Sequence, residues 1–391
     1  MNYFNKILDK YGLNFDEAII LIVSVCVFLP YYVLLVVLNI VFFYLLASGK
    51  IVSTIKSNKN YKSVFLFFIF IMVNSIFKNN LYGVGVSIVI FQLMLFFMYY
   101  RSVINRKLFA NVINVYMIVS VVCFAMTILS VLYQKIVGGM KFYDFVEYMS
   151  LHRPISSFFN TNYYATICEF IIIIAMYYFL SNKNKGNRLY FLVISAMAFV
   201  VLFLTENRTA LPTIFVATLV LSFTKQNKKV FAFIGVFAVV IAFLMVYSNK
   251  FFPRYEFLGN SFDTRIHIWE NSFKLLKSNF LFGYGPMAYQ NAMFSEYPAN
   301  HAHNILLDLL INFGVIGVLI IMPVFWSLCK IIYRCREKNM FRLITALTCI
   351  VVLHGMFDVT IFWHQTAFIY FSVLFAVGKV NGFDSKFIFS R

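Results

Sequence analysis

The sequence predicts an all-α, polytopic membrane protein of about twelve transmembrane helices, with one large outer loop before the tenth span. Three observations carry that expectation. Of the 391 residues, 62% are hydrophobic and only 12% are charged, whereas a soluble surface needs roughly 25–35% charged residues. Apolar runs alternate with short charged clusters, many of them near the length of about 20 residues that a bilayer crossing requires. The basic residues also segregate to alternate loops. This composition excludes soluble-enzyme, fibrous, disordered and disulfide-scaffold classes. A length that would suit two or three soluble domains therefore reads as a single integral membrane domain over 1–391.

The spans fall near 18–29, 31–48, 63–77, 81–100, 108–134, 163–181, 189–205, 209–224, 230–248, 304–328, 343–358 and 365–378. The first two share a charge-free run over 18–49 that would reach about 48 Å as one helix, too long for a bilayer core of about 30 Å. Pro30 splits the run, so two short helices folded as a hairpin are expected. No cleavable signal-peptide pattern is expected, because Asp16 and Glu17, not bases, precede the first run. Cys26, Cys123, Cys168, Cys329, Cys335 and Cys349 form no CxxC and read as small hydrophobes in helices.

The formal charge of +18 could suggest nucleic acid. Its distribution argues otherwise. Of 33 Lys and Arg, 23 fall in 1–17, 49–62, 101–107, 182–188, 225–229, 329–342 and 379–391, and 10 fall in the alternate segments. The positive-inside rule makes the first set cytoplasmic, with both termini inside. The outer side receives the large loop 249–303 and a second loop, 135–162. All six histidines (His152, His267, His301, His303, His354 and His364) lie outside or in the outer half of a span. A purely structural anchor has no need of that asymmetry.

Four constellations on the outer side can carry chemistry. The first is the turn Thr205-Glu206-Asn207-Arg208-Thr209-Ala210, whose arginine either snorkels to the interface or faces a ligand, with Glu206 as a local ion-pair partner in the bland case. The second runs from Asp263 to Glu270. Asp263 is expected to cap a helix whose Ile266, Trp269, Phe273 and Leu276 form an apolar stripe. Arg265 in its first turn then makes an anion site, unless it is only a solvated surface group. In the third, Phe280 to Pro286, Gly283 is expected to end the helix and Pro286 to prevent its continuation. No strand precedes this GxG, so it does not read as dinucleotide-binding. The fourth, His301-Ala302-His303-Asn304, leads into a span carrying Asp308 and Asn312. No carboxylate or third histidine stands at ligand spacing, so no metal is expected. Asp308, Glu169 and Asp358 are ionisable groups within spans, either functional or tying helices together. There is no nucleophile elbow and no P-loop. Arginines facing an outer cavity match phosphate geometry, which points to a lipid-linked phosphate substrate.

The order of these pieces resembles the bacterial O-antigen ligase and polymerase superfamily of membrane glycosyltransferases. The resemblance rests on Arg208-Thr209-Ala210, Arg265 with Trp269, Phe282-Gly283-Tyr284-Gly285, His303-Asn304-Ile305-Leu306-Leu307 and Asn312-Phe313-Gly314-Val315-Ile316-Gly317, over about residues 200–325. It implies a GT-C-like fold in the bacterial plasma membrane and an undecaprenyl-diphosphate-linked oligosaccharide as donor, with no cofactor or metal. It also implies roles. Arg208 and Arg265 would bind the diphosphate, and His303, with His301 as its neighbouring rival, would position or deprotonate the acceptor hydroxyl. Trp269 and Tyr284 would line the glycan path, Glu206 would orient Arg208, and Asn304 and Asp308 would complete the binding site. Asp358 resembles a late acidic position only loosely. A chain-length regulator and a flippase of the same pathway are the implied protein partners, with membrane lipid around the chain and no nucleic acid.

Three functions follow in order of preference. The first is a polymerase that moves the growing glycan from one lipid diphosphate to the sugar of a new lipid-linked repeat unit, for O-antigen or capsule. The second is a ligase that moves the finished glycan to lipid A core or another acceptor. The third is a transporter or flippase. Its usual repeats and broken midplane helices are not evident in the sequence.

Overall fold

The computed structural model describes residues 12–139, 152–222, 258–294, 296–336 and 339–380, together with positions 10, 141, 144 and 235. Among these residues the protein is helical, with no strand. The chain runs α1 (Phe15–Cys26), α2 (Tyr31–Ala47), α3 (Lys50–Ser57), α4 (Tyr61–Phe77), α5 (Leu81–Val103), α6 (Arg106–Val137) and α7 (Thr161–Ser181). It continues through α8 (Lys185–Leu204), α9 (Ala210–Ser222), α10 (Leu258–Ser278), α11 (Ala288–Asn291), α12 (Ile305–Arg334), α13 (Asn339–Gly355) and α14 (His364–Ala376).

Local chemistry explains several helix starts. Asn14 and Glu17 form a capping box, so the acids ahead of the first apolar run serve as a helix N-terminus. Asn105, Asn160, Asn184 and Asn304 each accept a backbone N–H as N-cap of α6, α7, α8 and α12. Pro30 caps α2, and the expected division of the first apolar run falls there. On the side assigned to the cytoplasm, Asp16 accepts from Lys50 Nζ at 2.5 Å and Tyr99 Oη at 2.8 Å, which ties α1 to α3 and α5.

Helices α5, α6, α7, α8 and α12 are long and apolar enough to cross a membrane. Helices α2 and α3 make a sixth candidate if counted as one span bent by 96°. Gly49, with φ 70°, stands at the bend. The chain is therefore a multi-pass all-helical membrane protein. Against the expected twelve spans, five or six of the described helices are long and apolar enough to cross, and α4, α9 and α13 are apolar but shorter. The expected span 230–248 apart from position 235, both extreme termini, and residues 140, 142–143, 145–151, 249–257 and 295 of the two outer loops lie outside the described residues. Helix α7 is the centre of the bundle. It is buried on nearly every face, from Thr161 to Tyr178, and α8, α9, α13 and α14 pack around it.

Three expectations need correction. Helix α10 begins at Leu258, so Asp263 lies within it and is not its N-cap. Arg265 consequently sits two turns in, away from the free N–H groups of the helix end. The buried face of α10 is also rotated from the expected stripe. Ile268 and Ser272 are sealed, and Leu275 and Leu276 pack with Tyr289, whereas Phe273 is exposed. The third correction concerns the span at 304–328. Helix α12 is interrupted at Gly314, which has φ 60° and ψ 179°.

That interruption receives the Phe280–Gly285 turn. Val315 N–H donates to Phe280 O at 3.1 Å and Ile316 N–H to Leu281 O at 3.0 Å. In return, Tyr284 N–H donates to Ile311 O and Gly285 N–H to Asn312 O, both at 2.8 Å. A Cβ on Gly314 would stand 2.4 Å from Leu281 O. Helix α10 ends at Ser278, earlier than the expected end at Gly283, which with φ 68° instead closes the turn that follows. The two Gly-rich motifs are thus complementary halves of one backbone joint, and the joint fixes where α12 presents the loop before it.

Candidate active site

The His301–His303 loop is held from two sides. Asp308, in the first turn of α12, accepts from Ala302 N–H at 2.9 Å with one oxygen and from Asn312 Nδ2 at 2.9 Å with the other. Asn304 caps α12 through Leu306 and Leu307 N–H, and its Nδ2 donates to Met356 O at 3.1 Å. This second bond fastens the loop to the turn after α13, where Asp358 resides. His303 adopts φ 48°, an unfavourable conformation for a residue with a Cβ.

The histidines and Asp358 form one cluster. His301 Nε2 lies 3.6 Å and His303 Nδ1 3.9 Å from Asp358 Oδ1. His301 Nδ1 accepts His303 N–H at 3.3 Å, so the proton of the neutral ring is on Nε2, facing Asp358. His303 Nδ1 is buried without a hydrogen bond. Burial pushes His301 down to about 4 against the pull of Asp358. Burial likewise holds His303 below the ordinary imidazole range. Both rings are therefore neutral at neutral pH, the form in which an imidazole accepts a proton. Arg265 is half-buried within electrostatic reach of Asp358 and both histidines, and desolvation lowers its pKa.

Asp358 is positioned by a chain of side chains. Its Oδ2 accepts from Asn162 Nδ2 at 2.8 Å and its Oδ1 from Val359 N–H at 2.8 Å. Asn162 Oδ1 accepts from Asn207 Nδ2 at 3.2 Å and from Arg153 Nη2 at 3.2 Å. Arg153 Nε also donates to Thr205 O at 2.6 Å. Asn207 Nδ2 lies 3.3 Å from His354 Nε2, whose Nδ1 meets Glu169 Oε2 at 2.6 Å. The Glu206-Asn207-Arg208 turn is thereby joined to the His–Asp cluster, with Arg208 half-buried next to Asn207 and Glu206 at φ 48°.

The expected site residues divide accordingly. His301, His303, Arg265, Asn304 and Asp308 come together around Asp358, and the turn carrying Glu206 and Arg208 is joined to them through Asn207. Trp269 stands on the same side of α10, its ring 6.4 Å from that of Phe357, and its Nε1 is buried without a hydrogen bond. Tyr284 goes elsewhere. Its hydroxyl is 2.6 Å from Ser278 Oγ and its ring lies under Lys78 Nζ, on the side of the backbone joint. Sequence reasoning missed Arg153 and Asn162, and left Asp358 marginal. It missed the aromatic wall as well: Tyr163 stacks on Trp363 at 4.6 Å and lies 6.4 Å from His301. The argument that no carboxylate stands at ligand spacing holds along the sequence but not in space. The ligand atoms of His301, His303 and Asp358 lie within 4.8 Å of one another. Arg265 beside them opposes a bound cation electrostatically.

Residues 190–322 match the family model described as O-antigen ligase. The match covers the Arg208 turn, α10, both histidines and the Gly314 joint. It supports the resemblance of this segment to the O-antigen polymerase and ligase superfamily. Asp358, His354, Asn162, Glu169 and Arg153 lie outside it. No curated protein matches the chain.

Proposed function

We propose, from the O-antigen ligase match over residues 190–322, that the protein is a metal-independent glycosyltransferase of the bacterial plasma membrane. It works on the outer face and uses a glycan linked to undecaprenyl diphosphate as donor. The polymerase reaction is the reading carried forward: the growing glycan leaves its lipid diphosphate and joins the sugar of a new lipid-linked repeat unit. The supporting observation is a neutral, half-buried histidine pair within the matched segment, beside Asp358 and within electrostatic reach of Arg265.

The roles follow from charge and geometry. With its proton on Nδ1 toward Asp358, His303 keeps the Nε2 lone pair for the acceptor hydroxyl. Asp358 would orient the ring and stabilise the imidazolium that forms. As the glycosidic C–O bond breaks, negative charge develops on the diphosphate. Arg265 and Arg208 would neutralise it in place of a metal ion. Acceptor oxygen bonds to the anomeric carbon, its proton passes to His303, and undecaprenyl diphosphate departs. The asymmetry of basic residues along the sequence supports twelve spans with both termini cytoplasmic, which would put these groups on the outer side. Strains carrying Arg208→Ala or His303→Ala should show single repeat units and no long chains, whereas normal chain length in both would reject this reading.

The family description favours a second reading, transfer of the finished glycan to lipid A core or another acceptor. A deletion strain that still accumulates long lipid-linked polymer would select it.

A further inference from the structure

A cavity of about 440 Å³ opens beside the histidine pair, between α10, α11, the loop before α12 and the start of α7. His301 and His303 form part of its wall. The rest is neutral. Asn160, Gln290 and Asn300 contribute amides, Tyr289 and Phe294 contribute rings, and among the described residues no Lys, Arg, Asp or Glu lines it. Gln290 and Asn300 make no side-chain hydrogen bond among the described residues, which leaves donors and acceptors for a ligand. The cationic group Arg265 reaches the same histidines electrostatically but does not line this cavity.

We infer that this cavity is the acceptor subsite and that it takes the uncharged sugar end of the acceptor glycan. The inference rests on the transfer reaction proposed above and adds to it the side of approach and the chemical class. Sugars present hydroxyl edges and apolar faces, which amides and rings match. A carboxylate or phosphate entering here would lose hydration and meet no cation among the described lining residues. The volume falls within the range of about 300–1,000 Å³ typical of small-ligand pockets, room for roughly one or two sugar rings. His301 and His303 line this cavity and are also within electrostatic reach of Arg265, which does not line it, so acceptor hydroxyl and departing diphosphate would reach the reacting carbon from different sides.

The test uses the full chain in detergent, with isolated lipid-linked repeat units as substrate. Two inhibitors probe the two sides: undecaprenyl diphosphate, and the free oligosaccharide released from the lipid by mild acid. Substituting both Gln290→Ala and Asn300→Ala should weaken inhibition by the oligosaccharide about tenfold or more and leave inhibition by undecaprenyl diphosphate unchanged. Oxidising the terminal sugar of the oligosaccharide to a uronic acid should weaken its inhibition of the unsubstituted protein similarly. Unchanged oligosaccharide inhibition in the double variant, equal weakening of both inhibitors, or undiminished binding of the acidic sugar overturns the subsite while leaving transfer intact. Absence of transfer by the unsubstituted protein overturns the proposed function, and the subsite with it.

Discussion

His354 Nδ1 lies 2.6 Å from Glu169 Oε2, with both side chains sealed from solvent at 1% and 0% exposure. The pair links the centre of the bundle to the outer site, because His354 Nε2 is also 3.3 Å from Asn207 Nδ2. Deleting one member of a buried pair leaves the other uncompensated, at a cost of about 3–5 kcal/mol. Glu169→Ala should therefore lower the thermal midpoint of the purified protein clearly. Glu169→Leu combined with His354→Leu should recover much of the loss. An unaltered midpoint in Glu169→Ala would show that the pair does not hold the bundle together.

Asp358 touches the histidines but is placed to act through them. Asp358→Asn keeps the size and the Asn162 contact region while removing the charge that favours a proton on the facing ring nitrogens. Transfer should fall by about 10²–10⁴-fold, with the thermal midpoint little changed and the KM for the lipid-linked unit nearly constant. A rise in KM alone would instead assign Asp358 to substrate binding.

Gly314 should tolerate no side chain. Its φ of 60° and ψ of 179° lie in a region essentially restricted to glycine, and Leu281–Gly283 backbone occupies the space a Cβ needs. Gly314→Ala should destabilise by several kcal/mol, on the order of 3–5 from backbone strain and overpacking together. The check is the yield of folded, monodisperse protein in detergent. Ala at Gly85, which has open space around it, serves as the control.

The pH dependence has a definite sign. Burial holds His301 and His303 below the ordinary imidazole value of about 6.5, so the folded protein binds fewer protons than the unfolded chain on the acid side. The contribution of the buried neutral rings is complete above about 6.5 and declines as pH falls through the folded value, about 4 for His301. Transfer should likewise keep its full rate at neutral pH and lose it only with acidification below the ordinary imidazole range. A rate that rises on acidification through pH 6 would mean that a protonated histidine is the working form.

The membrane helices were largely legible because lipid imposes a long apolar period that loops interrupt with charge. Expected spans and observed helices agree closely at α4, α7, α8 and α14. The left-handed turn at Gly283 was legible from its glycine, although α10 itself ends earlier, at Ser278. The beginning of α10 was not, since Asp263 offered a plausible cap that the upstream residues override by extending the helix. The cluster around Asp358 was least legible. Asn162 and Asp358 are 196 positions apart, and nothing in either local sequence announces the partner. Histidine, arginine and tryptophan could be singled out by residue type alone, whereas the asparagines that position them resemble ordinary helix caps.

The central claim is that a neutral His303 accepts the proton of an incoming sugar hydroxyl while arginines receive the diphosphate. Its most direct test is transfer between isolated lipid-linked repeat units by the purified full chain, read as product length on a gel, for the unsubstituted protein and for His303→Ala, His301→Ala and Arg265→Ala. The account predicts lengthened product from the unsubstituted protein and unextended single units from His303→Ala. Undecaprenyl diphosphate should still bind to His303→Ala but weakly to Arg265→Ala. Lengthened product at a comparable rate from His303→Ala would contradict it.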